Sequence, residues 1–239
     1  MVIFGEQENA GIGIVGGLGP ETSAKFSLDI TNRIRKLTGA NPNLIIDNVP
    51  MPEELEEDAI LGDPSEKVFH LIKQSVLRLN KIGVRFIVLP CNTVHIFFDR
   101  LQKISKAPII NIIDETVSAA KRSGFQNIGL LATTGTINSR LYQKAFEGHN
   151  IRLILPNNTM QRKVSDIILI TLKNSIIKKD TDDFHSILDK LFRDGAEAVI
   201  LGCTDLQLLI SQNNKIKLID SMKVLEDRTI DFVKGVKDD

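Results

Sequence analysis

Two pairs of similar segments recur at nearly the same spacing, and this internal repeat constrains the fold more than any other feature of the sequence. Residues 11–23 read GIGIVGGLGPETS, and residues 127–139, which begin 116 positions later, read NIGLLATTGTINS. Residues 79–93 read LNKIGVRFIVLPCNT, and residues 191–205, which begin 112 positions later, read LFRDGAEAVILGCTD. Because repeated segments in the same order indicate a duplicated unit, we expect two halves of like architecture.

Short apolar segments rich in Ile and Val alternate with amphipathic segments along the whole chain. The segments of strand length are 11–15, 44–47, 86–89, 109–112, 128–131, 152–155, 198–201 and 217–219. The segments with helical periodicity are 20–37, 65–81, 182–193 and 224–236. Strands that are apolar on both faces are typical of parallel sheets covered by helices. The sequence therefore predicts an α/β fold with two pseudosymmetric domains, each a mostly parallel sheet flanked by helices.

The repeat also predicts where the chain divides. We expect an N-terminal α/β domain over residues 1–115 and a C-terminal α/β domain over residues 116–221. The final helix, 222–239, could pack on either half, so it is left open whether it joins the N-terminal domain.

Charge and hydropathy exclude several classes of partner. Lys and Arg number 30, and Asp and Glu also number 30, so no excess charge draws the chain to nucleic acid or to an anionic membrane. The N-terminus does not resemble a signal peptide, and the apolar segments are far shorter than the roughly 20 residues that span a bilayer. We therefore expect a cytoplasmic protein that binds a small molecule and keeps its two cysteines reduced.

The two cysteines occupy equivalent places in the repeat. Cys91 and Cys203 each follow a buried strand, at the edge of the sheet where α/β proteins bind ligands. Each is followed by residue types that suit a helix N-cap, and a thiol at a helix N-terminus has a lowered pKa. Two thiols that face each other across an interdomain cleft suit inversion of a stereocentre, because one removes a proton and the other returns one on the opposite face.

Simpler interpretations exist for each motif. A single cysteine at a strand end more often packs than reacts. His95 lies four residues after Cys91, but two thiols and one imidazole do not complete a zinc site. Residues 11–16 fit the letters of a dinucleotide fingerprint, yet two of the glycines fall inside the strand, so we expect no nucleotide cofactor. The segment 16–21 is better interpreted as a tight turn whose N–H groups approach a carboxylate.

Four motifs in order resemble the aspartate/glutamate racemase superfamily, and within it the aspartate-racemase branch. They are GGLGPE at 16–21, PCNTVH at 90–95, GLLATTGT at 129–136 and GCTD at 202–205. The resemblance implies two pseudosymmetric α/β domains, a homodimer, and no pyridoxal phosphate or metal. It also implies that Cys91 and Cys203 are the two catalytic bases.

The resemblance further implies a set of residues that bind an amino-acid substrate. Those at the substrate carboxylate or in the surrounding loops are Gly17, Pro52, Asn92, Thr93, Thr134 and Thr204.

One segment departs from the pattern of aspartate racemases, which carry Pro-Asp-Arg-Thr where this chain has Pro52, Glu53, Glu54 and Leu55. A substrate side-chain carboxylate would there meet Glu54, which repels it. Lys173 lies where the family has a substrate-contacting lysine and could hold such a carboxylate alone. The predicted function is racemisation of aspartate or a related amino acid. The alternatives are a racemase of neutral or basic amino acids, an isomerase of an unsaturated diacid, and a nonenzymatic amino-acid binding protein.

Overall fold

The computed structural model describes residues 11–62, 64–210 and 217–235. In these residues the chain forms two four-stranded sheets in which all strands are parallel. The first sheet contains β1 (Ile12–Gly16), β2 (Leu44–Asn48), β3 (Phe86–Val88) and β4 (Ile109–Ile110). The second contains β5 (Asn127–Leu131), β6 (Arg152–Ile154), β7 (Ala198–Leu201) and β8 (Leu218–Asp220).

Helices connect the strands and cover the sheets. They are α1 (Pro20–Thr38), α2 (Glu53–Leu61), α3 (Glu66–Ile82), α4 (Phe98–Ile104), α5 (Ile112–Arg122), α6 (Thr134–Asn138), α7 (Leu141–Ala145), α8 (Asn158–Leu172), α9 (Lys178–Arg193) and α10 (Ser221–Lys234). Two short 3₁₀ helices span Thr93–Phe97 and Thr204–Leu209. Within the described ranges, every helix is too short or too polar to cross a membrane.

The two sheets have the same topology. The strand order is β2-β1-β3-β4 in the first and β6-β5-β7-β8 in the second. In the first sheet Ile14 pairs with Ile46 on one side and Val88 on the other. The equivalent strand β5 pairs with β6 and β7 in the second sheet. The predicted fold class, two like halves built on parallel sheets flanked by helices, is confirmed.

All eight predicted strands are present, with small shifts at their ends. The fourth ends at Ile110 instead of residue 112, because the Asn111 side chain accepts hydrogen bonds from the N–H groups of Ile113 and Asp114 and so begins α5. Asp220 begins α10 in the same way. Residues 236–239 of the predicted terminal helix lie outside the described residues, as do residues 1–10 and 211–216 of the predicted domains.

The helices that follow the last strand of each sheet join the two halves. Helix α10 follows the second sheet but packs against α1 and α5, and α5 follows the first sheet but packs against α7. One buried apolar cluster accordingly contains side chains from both halves, including Phe26, Leu130 and Met222. The predicted domain limits place the division inside α5, and they stay a prediction.

Helix α2 crosses from the first half to the second, where it packs against α6 and α8. A Cβ atom added at Gly135, in α6, would lie 2.2 Å from the carbonyl oxygen of Ala59 and 2.4 Å from that of Gly62. Both distances are far below van der Waals contact, so only glycine permits α2 to lie this close to the second half.

We expect Gly135→Ala to destabilise the protein by about 1–3 kcal/mol, because the added methyl group forces α2 away from α6. Urea unfolding measures this change in the free energy of unfolding. Asp58→Ala, an exposed change on the same helix α2, is the control, and we expect a change within about 0.5 kcal/mol. Equal stability of the two variants would contradict the close packing of α2 on α6.

Candidate active site

Both cysteines line one cavity between the two halves, at the carboxyl ends of β3 and β7. Cys91 follows β3 after Leu89 and Pro90, and Cys203 follows β7 after Gly202. Cys203 is buried and Cys91 is partly exposed, and neither forms a disulfide. The structure therefore brings together two thiols that lie more than a hundred residues apart in the sequence.

The residues beside the cysteines hydrogen-bond across the cleft. The Asn92 side chain donates to the Ser221 hydroxyl at 2.9 Å and accepts from the Tyr142 hydroxyl at 2.7 Å. The Thr204 hydroxyl donates to the carbonyl of Pro90 at 3.2 Å. Asn92 is the N-cap residue of the 3₁₀ helix Thr93–Phe97, as predicted, but its side chain makes these bonds to the other half and no capping hydrogen bond.

Three buried hydroxyls form a second connection. Those of Thr93 and Thr133 lie 2.9 Å apart, and the hydroxyl of Thr136 lies 2.9 Å from Thr133 and 3.2 Å from Thr93. Thr133 also caps α6 by accepting a hydrogen bond from the Thr136 N–H. Thr133 lines the cavity, whereas the predicted Thr134 lies outside the lining and its hydroxyl lies 2.8 Å from that of Ser165.

Burial dominates the ionisation of both thiols. It raises the pKa of Cys91 to about 12, although the N–H groups of Val94 and Thr93 oppose the rise and the charges of Asp205 and Glu56 add to it. The pKa of Cys203 is raised well above its ordinary value, first by burial and then by the Asp205 carboxylate. The predicted lowering of the thiol pKa values is wrong, because desolvation exceeds the effect of the short 3₁₀ helices.

Asp205 is a site residue that the sequence analysis did not assign. Its carboxylate accepts a hydrogen bond from the Cys203 thiol, with 3.6 Å between Sγ and Oδ2. Burial raises the pKa of Asp205 to about 6. Asp205 stands two residues after its cysteine, as Thr93 stands after Cys91, so the repeat and the GCTD motif were the signals that could have found it.

Glu56 is a second acidic residue at the site. It lies on α2 and lines the cavity, where its Oε1 atom accepts a hydrogen bond from the Gly19 N–H at 3.1 Å. Burial raises its pKa, and the hydrogen bond from Gly19 opposes the rise. Glu56 belongs to the acidic segment EELEED at 53–58, and the sequence alone does not show which of its side chains points inward.

Among the sequence-predicted site residues, the cavity lining contains Cys91, Asn92, Thr93, Cys203 and Thr204. The other predicted residues lie outside the lining, namely Gly17, Pro52, Glu54, Thr134 and Lys173.

Glu54 and Pro52 are exposed at the start of α2. Lys173 is also exposed, and its ammonium group pairs with Glu57 at 2.6 Å and with Glu53 at 3.1 Å. Gly17 has a φ of +78°, and a Cβ atom there would lie 2.5 Å from the Val49 carbonyl oxygen. Gly17 therefore shapes the loop after β1, while Gly19, two residues later, lines the cavity.

His95 is buried beneath Cys91 and positions it. Its Nδ1–H group donates to the Cys91 carbonyl at 2.8 Å, and its Nε2 atom accepts from the Ile112 N–H at 3.3 Å. Burial lowers the pKa of His95 to about 4, so the ring is neutral near pH 7. These bonds fix the backbone of Cys91 against the start of α5.

Known proteins are similar to this chain in sequence and fold over nearly its whole length. The broad-specificity amino-acid racemase RacX of Bacillus subtilis (strain 168) is 28% identical over 225 residues, which cover 92% of this chain and 96% of that protein. The solved structure of Picrophilus torridus aspartate racemase is 27% identical, with a TM-score of 0.79 and coverage of 94% of this chain and 95% of that one. That of an aspartate racemase homologue from Pyrococcus horikoshii OT3 is 25% identical, with a TM-score of 0.74 and coverage of 94% and 99%. Because the sequence model of the Asp/Glu/hydantoin racemase family matches residues 15–228, the chain belongs to that family of isomerases.

Proposed function

We propose that this chain is an amino-acid racemase in which Cys91 and Cys203 transfer protons on opposite faces of the substrate α-carbon. The observation that carries the proposal is the meeting of the two thiols in one cavity, from equivalent strand ends of the two halves. The similarity to RacX and to the P. torridus aspartate racemase supports an amino acid as the substrate. The mechanism requires no cofactor, because the chain's own thiols supply both acid and base.

The groups around the thiols suit an amino-acid backbone. The side chains of Asn92, Thr93 and Thr204 are buried beside the two cysteines and present an amide and two hydroxyls. We assign them to the α-carboxylate. The second N–H of the Asn92 amide is available to donate, and the Thr93 and Thr204 hydroxyls would exchange their present hydrogen bonds, to Thr133 and to the Pro90 carbonyl, for bonds to the substrate. A carboxylate held on this side leaves the α-carbon between the two thiols.

The proton transfers begin with Cys203 and Asp205. The Cys203 thiol gives its proton to the Asp205 carboxylate that already accepts its hydrogen bond. The resulting thiolate removes the α-proton as the Cα–H bond breaks and an S–H bond forms. Cys91 then gives its thiol proton to the opposite face, which leaves a Cys91 thiolate and the inverted amino acid. Reaction of the other enantiomer runs through the same steps in reverse.

The raised thiol pKa values fit this scheme once substrate binds. Without a cation nearby, burial and the charge of Asp205 raise the pKa of both thiols and keep them protonated, and the charge of Glu56 adds to the rise at Cys91. The α-ammonium group of a bound amino acid brings a positive charge into the same cavity and offsets those carboxylates. Because an opposite charge favours the ionised form, thiolate formation becomes easier when substrate is present.

Homodimer formation and a cytoplasmic location belong to the proposal as expectations, whereas aspartate specificity does not. Among the described residues, those that line the cavity include no Lys or Arg that could bind a side-chain carboxylate.

We expect Cys91→Ala and Cys203→Ala each to lower racemisation by at least about 10³-fold, because each removes the only acid or base on one face. Chiral chromatography of a panel of L- and D-amino acids measures racemisation. Each variant keeps one thiol, so in D₂O each should exchange the α-proton of one enantiomer only, and the two variants should prefer opposite enantiomers.

Cys91→Ser and Cys203→Ser serve as controls of similar size, and thermal unfolding of all four variants checks that they fold. Undiminished racemisation in either alanine variant would contradict the two-thiol mechanism.

We expect kcat/KM to fall as the pH drops below about 6, because the Asp205 carboxylate accepts the Cys203 proton only when ionised and burial raises its pKa to about 6. Asp205→Asn removes this acceptor, so it should lower kcat/KM at about pH 8 by about 10²-fold and abolish the decline near pH 6. Profiles of kcat/KM against pH at constant ionic strength measure both effects. Asp166→Asn, a change at an exposed residue, is the control and should keep the wild-type profile of kcat/KM against pH. An unchanged acidic limb in Asp205→Asn would assign that limb to another group.

A further inference from the structure

The cavity that holds the thiols is lined by two groups of side chains, one polar and one apolar. The polar group consists of the cysteines, their neighbours and two carboxylates, those of Glu56 and Asp205. Side chains without charge form the remainder of the wall, among them Met51, Leu55, Ala59, Ile60, Ile168 and Leu172. The apolar residues of the described lining would offer the side chain of a bound amino acid van der Waals contact and no ion pair.

The two carboxylates meet at Gly19, close to the reacting groups. Glu56 accepts the hydrogen bond of the Gly19 N–H at 3.1 Å, and a Cβ atom built on Gly19 would lie 3.1 Å from Oδ1 of Asp205. The other oxygen of Asp205 lies 3.6 Å from the Cys203 sulfur. Both negative charges thus lie close to Gly19, and the charge of Asp205 also lies beside the Cys203 sulfur.

Neither carboxylate has a cationic partner in the described part of the chain. The salt bridges of that part include neither Glu56 nor Asp205. Buried or half-buried carboxylates without a counter-charge are costly, so a ligand that brings a cation to Gly19 gains from both of them. Every α-amino acid carries such a cation on its α-carbon.

We infer, on the basis of the proposed racemase function, that Glu56 and Asp205 together bind the α-ammonium group and that the substrate side chain is uncharged and apolar, of the kind found in methionine and leucine. The apolar wall formed by α2 and α8 then receives this side chain. In this arrangement Glu56 binds the α-ammonium group, which every amino-acid substrate has.

The same arrangement disfavours charged side chains of either sign. A second carboxylate, as in aspartate, would lose its hydration against the apolar wall, where the lining residues of the described ranges provide no cation. Lys173 lies outside, and its ammonium group already pairs with Glu53 and Glu57. A second ammonium group, as in lysine, would lie against the same apolar surface while the carboxylates hold the first.

The first test compares L-methionine, L-aspartate and L-lysine as substrates of the wild-type protein, by racemisation and by α-proton exchange in D₂O. We expect kcat/KM for methionine to exceed that for either charged amino acid by about tenfold or more. Preference for aspartate or lysine would overturn the inference while leaving the two-thiol racemase intact.

The second test separates the two roles that Glu56 could have. Glu56→Gln keeps an oxygen to accept the Gly19 hydrogen bond but loses the charge, so we expect KM to rise by about tenfold for every substrate that turns over. A rise in KM for lysine alone would show that Glu56 binds the substrate side chain. An unchanged KM for every substrate would show that Glu56 does not bind the substrate. Asp58→Asn, an exposed change on the same helix, is the control and should leave KM unchanged.

Calorimetric titration keeps the inference testable if the proposed function fails. Tighter binding of methionine than of aspartate and lysine, with no turnover, would support the ligand class and refute the racemase. Equal or absent binding of all three would overturn the inference itself.

Discussion

One chain of buried hydrogen bonds fixes the distance between the two cysteines. Asn92, next to Cys91, donates to the hydroxyl of Ser221, and that hydroxyl donates to the carbonyl of Leu201, two residues before Cys203. Asn92 and Ser221 are fully buried, so breaking either bond would leave a polar group unsatisfied at a cost of about 1–3 kcal/mol. The catalytic proposal depends on this link, because the thiols belong to different sheets and share no strand pairing.

Burial raises the pKa of Asp205 at the site and thereby lowers the stability of the folded protein at neutral pH. Asp205 has a pKa of about 6, above its ordinary 3.8, so the folded state binds the proton more tightly than the unfolded state. The free energy of unfolding therefore decreases as the pH rises from about 4 to about 6, and it stays lower above that range. A carboxylate kept under these conditions beside a thiol is better explained by its use in proton transfer than by stability.

The repeat makes the fold and the thiol pair predictable from sequence, whereas the orientation of the helices around the site is not. The strands follow from apolar segments whose length and spacing are local properties, and Cys91 and Cys203 follow from equivalence in the repeat. Glu54 and Glu56 differ by about half a helical turn, and a segment with acidic residues on every face does not show which one points inward. The sequence likewise does not show whether Thr133 or Thr134 points into the cavity. The hydrogen bond from the Thr136 N–H to the Thr133 side chain fixes Thr133 as the N-cap of α6 and so decides it.

The position of Glu56 depends on packing between the halves more than on the ion pairs of α2. Lys173 pairs with Glu53 and Glu57 on the exposed side of that helix, where water and salt screen the attraction. Gly135, by contrast, lets the α2 backbone lie so close to α6 that a rotation of α2 would either open a gap between the two helices or make them clash. A glycine in the second half thereby determines which glutamate of the first half reaches the cavity, and the groups that meet the substrate depend on how the duplicated halves fit together.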